Sequence, residues 1–277
     1  MPELPEVEYA AGIARRAAVG HTIARVRVLH SSQRRALPAR AARRATGERV
    51  SAVERRGKYQ LLRLEGGRTL LVHFRLNGDW VAMARDDEPP RHARVILDFE
   101  DGSALALVDS RALATLTLHE PGEKLLTTLG PEATSQAFDA TWLARWFARR
   151  RGPVKPALLD QRAVAGIGNI YASEACWYAR LDPRTPVHRL SEAKRRALVQ
   201  GVKRAMRKAL EHPERYYGAG AVSDRVRFNV YDREGAPCRR CGEPILRVTQ
   251  AGRSTYFCGG CQVGGPAHPR TRRARSR

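Results

Sequence analysis

Four of the chain's five cysteines stand in one short block, as Cys238 and Cys241 in "CRRC" and Cys258 and Cys261 in "CGGC". Two CxxC pairs separated by sixteen residues are typical of a tetrahedral zinc site, in which each pair lies on one knuckle of a hairpin. Four thiolates leave no open position for water, so we expect one structural zinc ion. The alternative is four unrelated thiols.

The sequence shows neither of the two features that would direct the protein to a membrane or out of the cytoplasm. No run of about 18 apolar residues predicts a membrane span, and no apolar leader segment follows the N-terminus. We therefore expect a cytoplasmic protein, in which disulfides are not expected. Cys176, the fifth cysteine, lies in an apolar helical stretch and is predicted to be a core residue.

The charge of the chain is strongly positive. Fifty Lys and Arg oppose 28 Asp and Glu, which gives a formal net charge of +22. Such a charge attracts polyanions, among which nucleic acid is the expected partner. A membrane surface is the weaker alternative, because no stretch combines a basic face with a broad apolar one. Residues 263–277, ending in "PRTRRARSR", are predicted to be a disordered basic tail.

Hydrophobic patterning changes along the chain. Residues 4–20 predict a helix, and short β-like runs broken by Gly, Asp and Pro follow from about 22 to 118. A hinge at "TTLGPEAT" precedes helical text, and a small β-rich module carries the cysteines. This order indicates an α+β multidomain fold with an N-terminal β-sandwich behind a leading helix. The predicted domains are 1–128, 134–223 and 226–262, followed by the tail.

The N-terminus "MPELPE" places acids in a very basic chain. Pro5 and Glu6 suit the first turn of a helix, which explains Glu6 but not Glu3. Removal of Met1 would leave Pro2 with a free secondary amine. The pKa of an α-amino group is about 7.7–8.0 against about 10.4 for lysine, so this amine can act as a nucleophile at neutral pH. The alternative is an ordinary acidic, proline-containing terminus.

Two further segments suggest phosphate binding. In "AVAGIGNIYASEA", Gly166 and Gly168 precede a predicted helix that begins near Asn169, so backbone N–H groups can face an anion. A structural turn between helices is the competing interpretation. In "TQAGRSTYFC", Gly252 favours a tight turn that places Arg253 at a hairpin tip, where its guanidinium can reach a phosphate.

Several motifs together resemble the formamidopyrimidine-DNA glycosylase / endonuclease VIII family of DNA repair enzymes. They are "MPELPEVE" at the N-terminus, "RRGKY" at 55–59, "LGPE" at 129–132, "DQRAVAGIGNIYASE" at 160–174 and "GRSTYFCGGCQ" at 252–262. They occur in the family's order and span nearly the whole chain. The resemblance implies a base-excision-repair DNA glycosylase with AP-lyase activity and β,δ-elimination.

The resemblance also assigns roles to residues of this chain. Pro2 corresponds to the Schiff-base nucleophile and Glu3 to its proton donor. Glu6 matches a further acid of the catalytic pocket, and Lys58 matches the proton donor of β-elimination. Arg253 matches the arginine of the zinc hairpin that grips a phosphate and is linked to δ-elimination.

DNA-binding positions follow in the same way. Asn169 and Lys155 match contacts of a helix–two-turn–helix element in the domain at 134–223. His92 and Arg111 resemble further DNA contacts, and Arg151 is a further candidate within a run of three arginines, any of which fits the position. The implied partner is double-stranded DNA with a damaged base or abasic site, bound by a monomer in the cleft between the two main domains.

The sequence also departs from the family's usual pattern. The segment that is commonly "HLGMSG" reads "HFRLNG", which puts Leu76 in the place of a void-filling methionine. The segment that is commonly "DPRRFG" reads "DSRALA", so Leu113 replaces an aromatic side chain. We expect both leucines to fill the gap left by a flipped base, although Leu113 offers no aromatic face for stacking. The loop at 212–235 is short and lacks the pattern of the loop that closes over oxidised guanine. Preference among oxidised purines, formamidopyrimidines and oxidised pyrimidines is therefore open.

Two other functions remain as alternatives. A non-catalytic binder of damaged or abasic DNA would keep the same fold, although intact Pro2, Glu3 and Lys58 argue against it. A basic zinc-ribbon RNA-binding protein is disfavoured by the N-terminal signature.

Overall fold

The structure is a computed structural model that describes residues 1–211 and 228–266. Most of the short loop predicted at 212–235 and most of the basic tail predicted at 263–277 lie outside the described residues. The chain divides into two compact units: Met1–Glu132, with which the described residues 209–211 are grouped, and a second that contains Ala133–Lys208 and the described residues 228–266. Each unit is described by itself below.

The first unit is a pair of four-stranded antiparallel sheets with a leading helix. One sheet has the order β1-β6-β7-β5 and the other the order β2-β3-β4-β8. The elements are α1 (Leu4–Ala18), β1 (Ile23–Val28), α2 (Ser31–Ala36), α3 (Ala39–Ala45), β2 (Val50–Arg56), β3 (Tyr59–Leu64), β4 (Thr69–His73), β5 (Asp79–Ala84), β6 (Ala93–Phe99), β7 (Ser103–Val108) and β8 (Thr115–His119).

One hydrophobic core joins both sheets to the leading helix. It takes Val53 and Leu62 from one sheet, Leu97 and Leu107 from the other, and Ala11 from α1. The alternating pattern of the strands supplies one apolar face to each sheet, and the small alanines of α1 let the helix lie close to them. This β-sandwich with a leading helix is the architecture predicted from the sequence.

Three elements of this unit were not predicted. Helices α2 and α3 are short and rich in Ala and Arg, so they lack the apolar stripe by which a helix is recognised. Strand β8 is short, and most of its residues are only half-buried. The apolar segment "TLLVHFRLNGDWVAM" at 69–83 forms two strands, β4 and β5, because a turn at residues 74–78 carries the chain from one sheet to the other.

The second unit is helical and ends in a small β-hairpin. Its helices bury apolar side chains such as Leu143, Leu158, Tyr171 and Met206. Asp139 caps the first helix by accepting the Trp142 N–H. The elements are α4 (Ala140–Phe147), α5 (Val154–Leu158), α6 (Asn169–Tyr178), a 3-10 helix (Val187–Arg189), α7 (Glu192–Glu211), β9 (Ile245–Gln250) and β10 (Arg253–Cys258).

Two smaller sequence predictions can be compared directly with this unit. Cys176 is fully buried, as expected of a core residue, and burial raises the pKa of its thiol to about 12. Within the described ranges, no helix has both the length and the apolar composition needed to cross a membrane.

Candidate functional site

The strand register brings three loops to one end of the β2-β3-β4-β8 sheet. Tyr59, the first residue of β3, pairs with His73, the last residue of β4, and His73 pairs with Thr115, the first residue of β8. The turn before β3 carries Lys58, the turn after β4 carries Leu76, and the loop before β8 contains residues 109–114. These loops therefore leave the sheet side by side.

Helix α1 directs its N-terminus toward the same end. Glu8 accepts a hydrogen bond from Arg55 at 2.6 Å, whereas Arg15, farther along the helix, donates to the Val53 carbonyl at 2.8 Å. Because β2 runs from Val53 toward the turn at Gly57, the helix runs away from that turn. The start of the chain, with Pro2, consequently lies at the end of the sheet where the loops emerge.

The predicted acids near Pro2 have distinct surroundings. Glu3 precedes α1 and its side chain is buried, with 1% exposure. The Glu6 carboxylate accepts the Glu3 backbone N–H at 2.8 Å, which satisfies one donor at the start of the helix. Glu6 therefore has the structural role at the helix start that the sequence suggested, and Glu3 is the acid held within protein beside Pro2.

Lys58 is also buried, with 6% exposure, on a turn that is held by a carboxylate. Glu132 accepts the Gly57 N–H at 2.5 Å and hydrogen bonds from Arg55 at 2.6 Å and Arg56 at 2.7 Å. Since Arg55 also binds Glu8, the chain of ion pairs runs from α1 through this turn to Glu132. It fixes the backbone from which Lys58 projects.

His73 was not singled out from the sequence, although it begins the quoted segment "HFRLNG". Burial and, after it, the positive charges of Arg75 and Lys58 together lower its pKa to about 4. Its Nδ1 accepts the Arg75 backbone N–H at 3.1 Å, and its ring lies 4.5 Å from that of Tyr59. His73 is therefore a neutral imidazole beside Lys58 at pH 7.

We expect His73 to give the protein a pH-dependent stability. Its pKa is lowered in the folded state, so the unfolded chain binds the proton first as pH falls below about 6.5. Stability present above that pH is lost toward pH 4, by about 1–2 kcal/mol after allowance for solvent screening. Urea unfolding at several pH values, compared with His73→Gln, measures this contribution. If the free energy of unfolding falls equally steeply with decreasing pH in both proteins, His73 makes no such contribution.

Two exposed leucines project from the loops at this end of the sheet. Leu76 is 37% and Leu113 is 47% exposed. The turn at Leu76 is tight, since Arg75 has a φ of 55° and a Cβ on Gly78 would lie 2.8 Å from the Phe74 backbone. Both residues are the ones predicted to fill the void in DNA.

Arg111 and His92 lie on neighbouring loops of the other sheet. The buried Asp109 carboxylate accepts the Arg111 backbone N–H at 2.9 Å, and the Asp109 N–H donates to the His92 carbonyl at 3.0 Å. His92 and Ala112 both have left-handed backbones, with φ of 68° and 54°. The side chains of Arg111 and His92 are exposed, as phosphate contacts require, and that role stays a prediction.

In the second unit, Lys155 has a structural position that the sequence did not indicate. It is fully buried, and its ammonium donates to Asn169 at 2.6 Å, the Ser254 carbonyl at 3.0 Å and Thr255 at 2.7 Å. Asn169 also donates to the Ser254 carbonyl, at 3.1 Å. Lys155 therefore joins the start of α6 to the hairpin. Its predicted contact with DNA stays a prediction.

Arg253 follows a two-residue turn between β9 and β10. Ala251 and Gly252 both have positive φ, 48° and 71°, as in the tight turns that join twisted antiparallel strands. The Arg253 side chain is exposed beside Ser254, which Lys155 and Asn169 hold. Arg151 is exposed too, at a cavity of about 380 Å³ that is also lined by His188 and Arg195.

The four predicted zinc ligands converge. The Sγ atoms of Cys238, Cys241, Cys258 and Cys261 all lie within 4.8 Å of one another. Cys238 and Cys261 are 3.8 Å apart, close to the spacing of about 3.8 Å that four sulfurs at 2.3 Å from a tetrahedral zinc would have. The donor set fits zinc, and no fourth position is left for water. The predicted structural zinc site is confirmed.

The groups around Cys238 favour its thiolate form, whereas burial raises the pKa of Cys258 and Cys261. Burial raises the pKa of Cys238, but hydrogen bonds from the Trp177 indole and the Arg240 backbone bring it down to about 6. The Arg240 guanidinium lies 4.0 Å from the Trp177 ring and donates to Cys261 Sγ at 3.6 Å. Its positive charge offsets part of the negative charge of four thiolates. Glu174 fixes the preceding segment by accepting the Val230 N–H at 2.8 Å.

Loss of the metal is expected to weaken DNA binding rather than abolish chemistry directly. Cys258→Ser removes one ligand, so the hairpin that presents Arg253 loses its anchor, and affinity for duplex DNA should fall at least about tenfold. Metal analysis and fluorescence anisotropy measure the two effects. Cys176→Ala, which removes the buried cysteine outside the cluster, is the matched control. Full affinity in a zinc-free Cys258→Ser protein would contradict this role.

Comparison with known proteins agrees with this architecture. Residues 1–116 match the formamidopyrimidine-DNA glycosylase N-terminal domain, residues 129–217 match the H2TH domain of the same enzymes, and residues 235–263 match a zinc finger found in FPG and IleRS. The formamidopyrimidine-DNA glycosylase of Gluconobacter oxydans is 36% identical over 281 residues, which is 95% of this chain and 100% of that protein. The chain belongs to the formamidopyrimidine-DNA glycosylase family.

Solved structures of family members have the same fold. The MutM (Fpg) protein of Thermus thermophilus is 36% identical with a TM-score of 0.80, covering 96% of this chain and 100% of that one. The Fpg of Lactococcus lactis, bound non-covalently to DNA containing an AP site, is 28% identical with a TM-score of 0.83, covering 94% and 99%. The family predicted from the motifs is confirmed, as is the zinc finger.

Proposed function

We propose that this protein is a bifunctional base-excision-repair enzyme. It binds double-stranded DNA, extrudes a nucleotide with an oxidised base, excises the base through an amine nucleophile and cuts the strand at the resulting abasic site. The proposed division of the chain is 1–128 for chemistry, 134–223 and 226–262 for DNA binding, and 263–277 as a tail. It acts as a monomer.

Pro2 is the proposed nucleophile once Met1 has been removed. The lone pair of its neutral amine bonds to C1′ of the damaged nucleotide, and the glycosidic electron pair leaves with the base, which takes up a proton. The Pro2 nitrogen then loses its one proton to solvent, Glu3 gives a proton to the sugar ring oxygen as the ring opens, and the nitrogen lone pair forms an iminium ion with C1′ that carries no N–H. The burial of Glu3 beside Pro2 supports this role, because water is kept away from the proton transfer.

Strand cleavage then follows from the Schiff base. The iminium carbon acidifies C2′, so loss of a C2′ proton expels the 3′ phosphate in β-elimination. A second elimination breaks the bond to the 5′ phosphate. We assign Lys58 to proton donation during β-elimination, Glu6 to the pocket and helix start together, and Arg253 to the phosphate that leaves in δ-elimination.

Binding depends on phosphate contacts and on two aliphatic side chains. The phosphates are held by Arg111, His92, Arg151 and Asn169. Lys155 contacts DNA and also supports binding by fixing the hairpin that presents Arg253. Leu76 and Leu113 fill the space that the extruded nucleotide leaves. Neither offers an aromatic face, so discrimination of the opposite base should be weaker than with an aromatic residue at position 113.

One observation carries the proposal. A buried lysine, a neutral imidazole, two exposed leucines and the N-terminus with Pro2 and Glu3 all lie at one end of one sheet. Amine chemistry needs a low-pKa nucleophile with proton donors near it, and base extrusion needs apolar side chains that reach into the stack. This end of the sheet supplies both.

Borohydride trapping tests the proposal. Duplexes carrying one abasic site, 8-oxoguanine, a formamidopyrimidine or an oxidised pyrimidine are incubated with the protein and reduced, with an undamaged duplex as control. We expect a covalent adduct that requires the lesion, and its pattern across duplexes defines the preferred base. No adduct on any duplex, with zinc bound and DNA binding intact, would leave a non-catalytic binder of damaged DNA.

A further inference from the structure

The loop that carries Leu113 is held more firmly than its exposure suggests. Asp109 is buried, and its carboxylate accepts the backbone N–H of Leu113 at 2.6 Å and of Ala114 at 2.7 Å, besides that of Arg111. The side chain of Leu113 is nevertheless 47% exposed. The backbone is fixed by these bonds, whereas about half of the residue's surface is open to solvent.

A second buried side chain holds the other end of this loop. Gln33, in α2, has no exposed surface; its Nε2 donates to the Ala114 carbonyl, and its Oε1 accepts the Leu116 N–H at 3.3 Å. Among the described residues, strand β8 is the outermost strand of its sheet, so the groups on its outer edge have no strand partner there. The Gln33 amide takes the place of a neighbouring strand at that edge.

We propose that Gln33 is a positioning residue for Leu113. Asp109 holds the N–H groups of Leu113 and Ala114, and Gln33 adds a bond to the Ala114 carbonyl, so that the isobutyl group is presented to DNA in one orientation. An apolar group that enters a base stack gains more when it has little freedom left to lose. This inference rests on the proposed function, in which Leu113 enters the space left by the extruded nucleotide.

The amide is required because it both donates and accepts. Leucine at position 33 would fill similar space but make neither bond, which would also leave a buried carbonyl and N–H unpaired. An ionised glutamate would accept from Leu116 but would have no proton for Ala114. Burial raises the pKa of such a carboxyl group, so a protonated glutamate would restore the missing donor as pH falls.

The test measures how far each variant disturbs the base opposite the lesion. A duplex carries 2-aminopurine opposite a tetrahydrofuran abasic analogue, which is not cleaved, and its fluorescence rises when the base is unstacked. At saturating protein, we expect the rise to fall at least about twofold in Gln33→Leu and in Leu113→Ala. Phe99→Leu, a core change at the far end of β6, is the control matched for loss of Tm.

The variant Gln33→Glu separates loss of this hydrogen bond from a general loss of stability, because only the former should depend on pH as the carboxyl group gains a proton. We compare the fluorescence rise of each variant with that of the wild-type protein at the same pH. As the pH is lowered from about 8 to about 5.5, this ratio should increase toward one for Gln33→Glu and stay unchanged for Gln33→Leu. A full rise in Gln33→Leu or Leu113→Ala, or a ratio for Gln33→Glu that does not change with pH, would overturn the assignment. Borohydride trapping on an abasic duplex separates the two proposals: a wild-type adduct with full fluorescence in Gln33→Leu refutes only the role of Gln33.

Discussion

A form of the protein that retains Met1 is expected to lose base excision and Schiff-base trapping by at least about 10³-fold. In that form the nitrogen of Pro2 is part of a peptide bond, so its lone pair is delocalised and cannot attack C1′. The amine of Met1 stands one residue farther along, about 3.8 Å away, which displaces it from the reacting carbon. Trapping and single-turnover excision measure both losses.

Treatment with methionine aminopeptidase provides the control. The Met1 form, made in cells whose aminopeptidase is inhibited, should regain full activity when the purified protein is digested, because no other part of the chain has changed. Binding to a duplex with a tetrahydrofuran site should differ little before and after digestion. An undigested protein that excises bases at the normal rate would exclude Pro2 as the nucleophile.

Replacement of Glu3 by glutamine is expected to slow excision of damaged bases by about 10²–10⁴-fold while leaving DNA binding nearly intact. Glutamine has nearly the same shape but cannot give a proton to the sugar oxygen. An abasic site is already free of its base, and its sugar opens spontaneously. Cleavage of an abasic site should therefore suffer much less than excision.

The comparison between these two substrates is the decisive measurement. Glu54→Gln, which removes a carboxylate from an exposed ion pair with Arg63, controls for the change in net charge. Both variants should bind DNA slightly more tightly, but only Glu3→Gln should lose excision. Equal losses on the abasic and the damaged duplex would show that Glu3 acts on position or stability and does not donate the proton.

Part of the fold was predictable because its signals are local. The leading helix ends just before Gly20, as predicted, and Ser191 caps α7 by accepting the Lys194 N–H at 3.3 Å. Strands in which apolar and polar residues alternate were also predictable, because that alternation is a local pattern. Helix α3 was not predicted because its buried residues, Ala42 and Ala45, are small, and helix α2 was not predicted because its one buried residue is the polar Gln33.

The residues of the site likewise divide into those that local sequence signals predict and those that depend on packing. Sequence motifs around Lys58 and Leu113 predict that both belong to the site. No such motif marks His73, since a lone histidine next to a strand end is usually solvated. Its lowered pKa depends on burial and on the charges of Arg75 and Lys58, which fold against it. A sequence pattern contains neither quantity.

By itself, the sequence determined the family, the zinc ligands and the candidate nucleophile. Cysteine ligands lie close together in the chain and converge through local turns, and an α-amine has its low pKa wherever the chain folds. Only the tertiary structure decided that Gln33 holds Ala114, 81 residues away, and that Lys155 is buried against Thr255, 100 residues away. Such contacts form only when distant segments pack, because burial makes each unpaired polar group costly and so selects its partner.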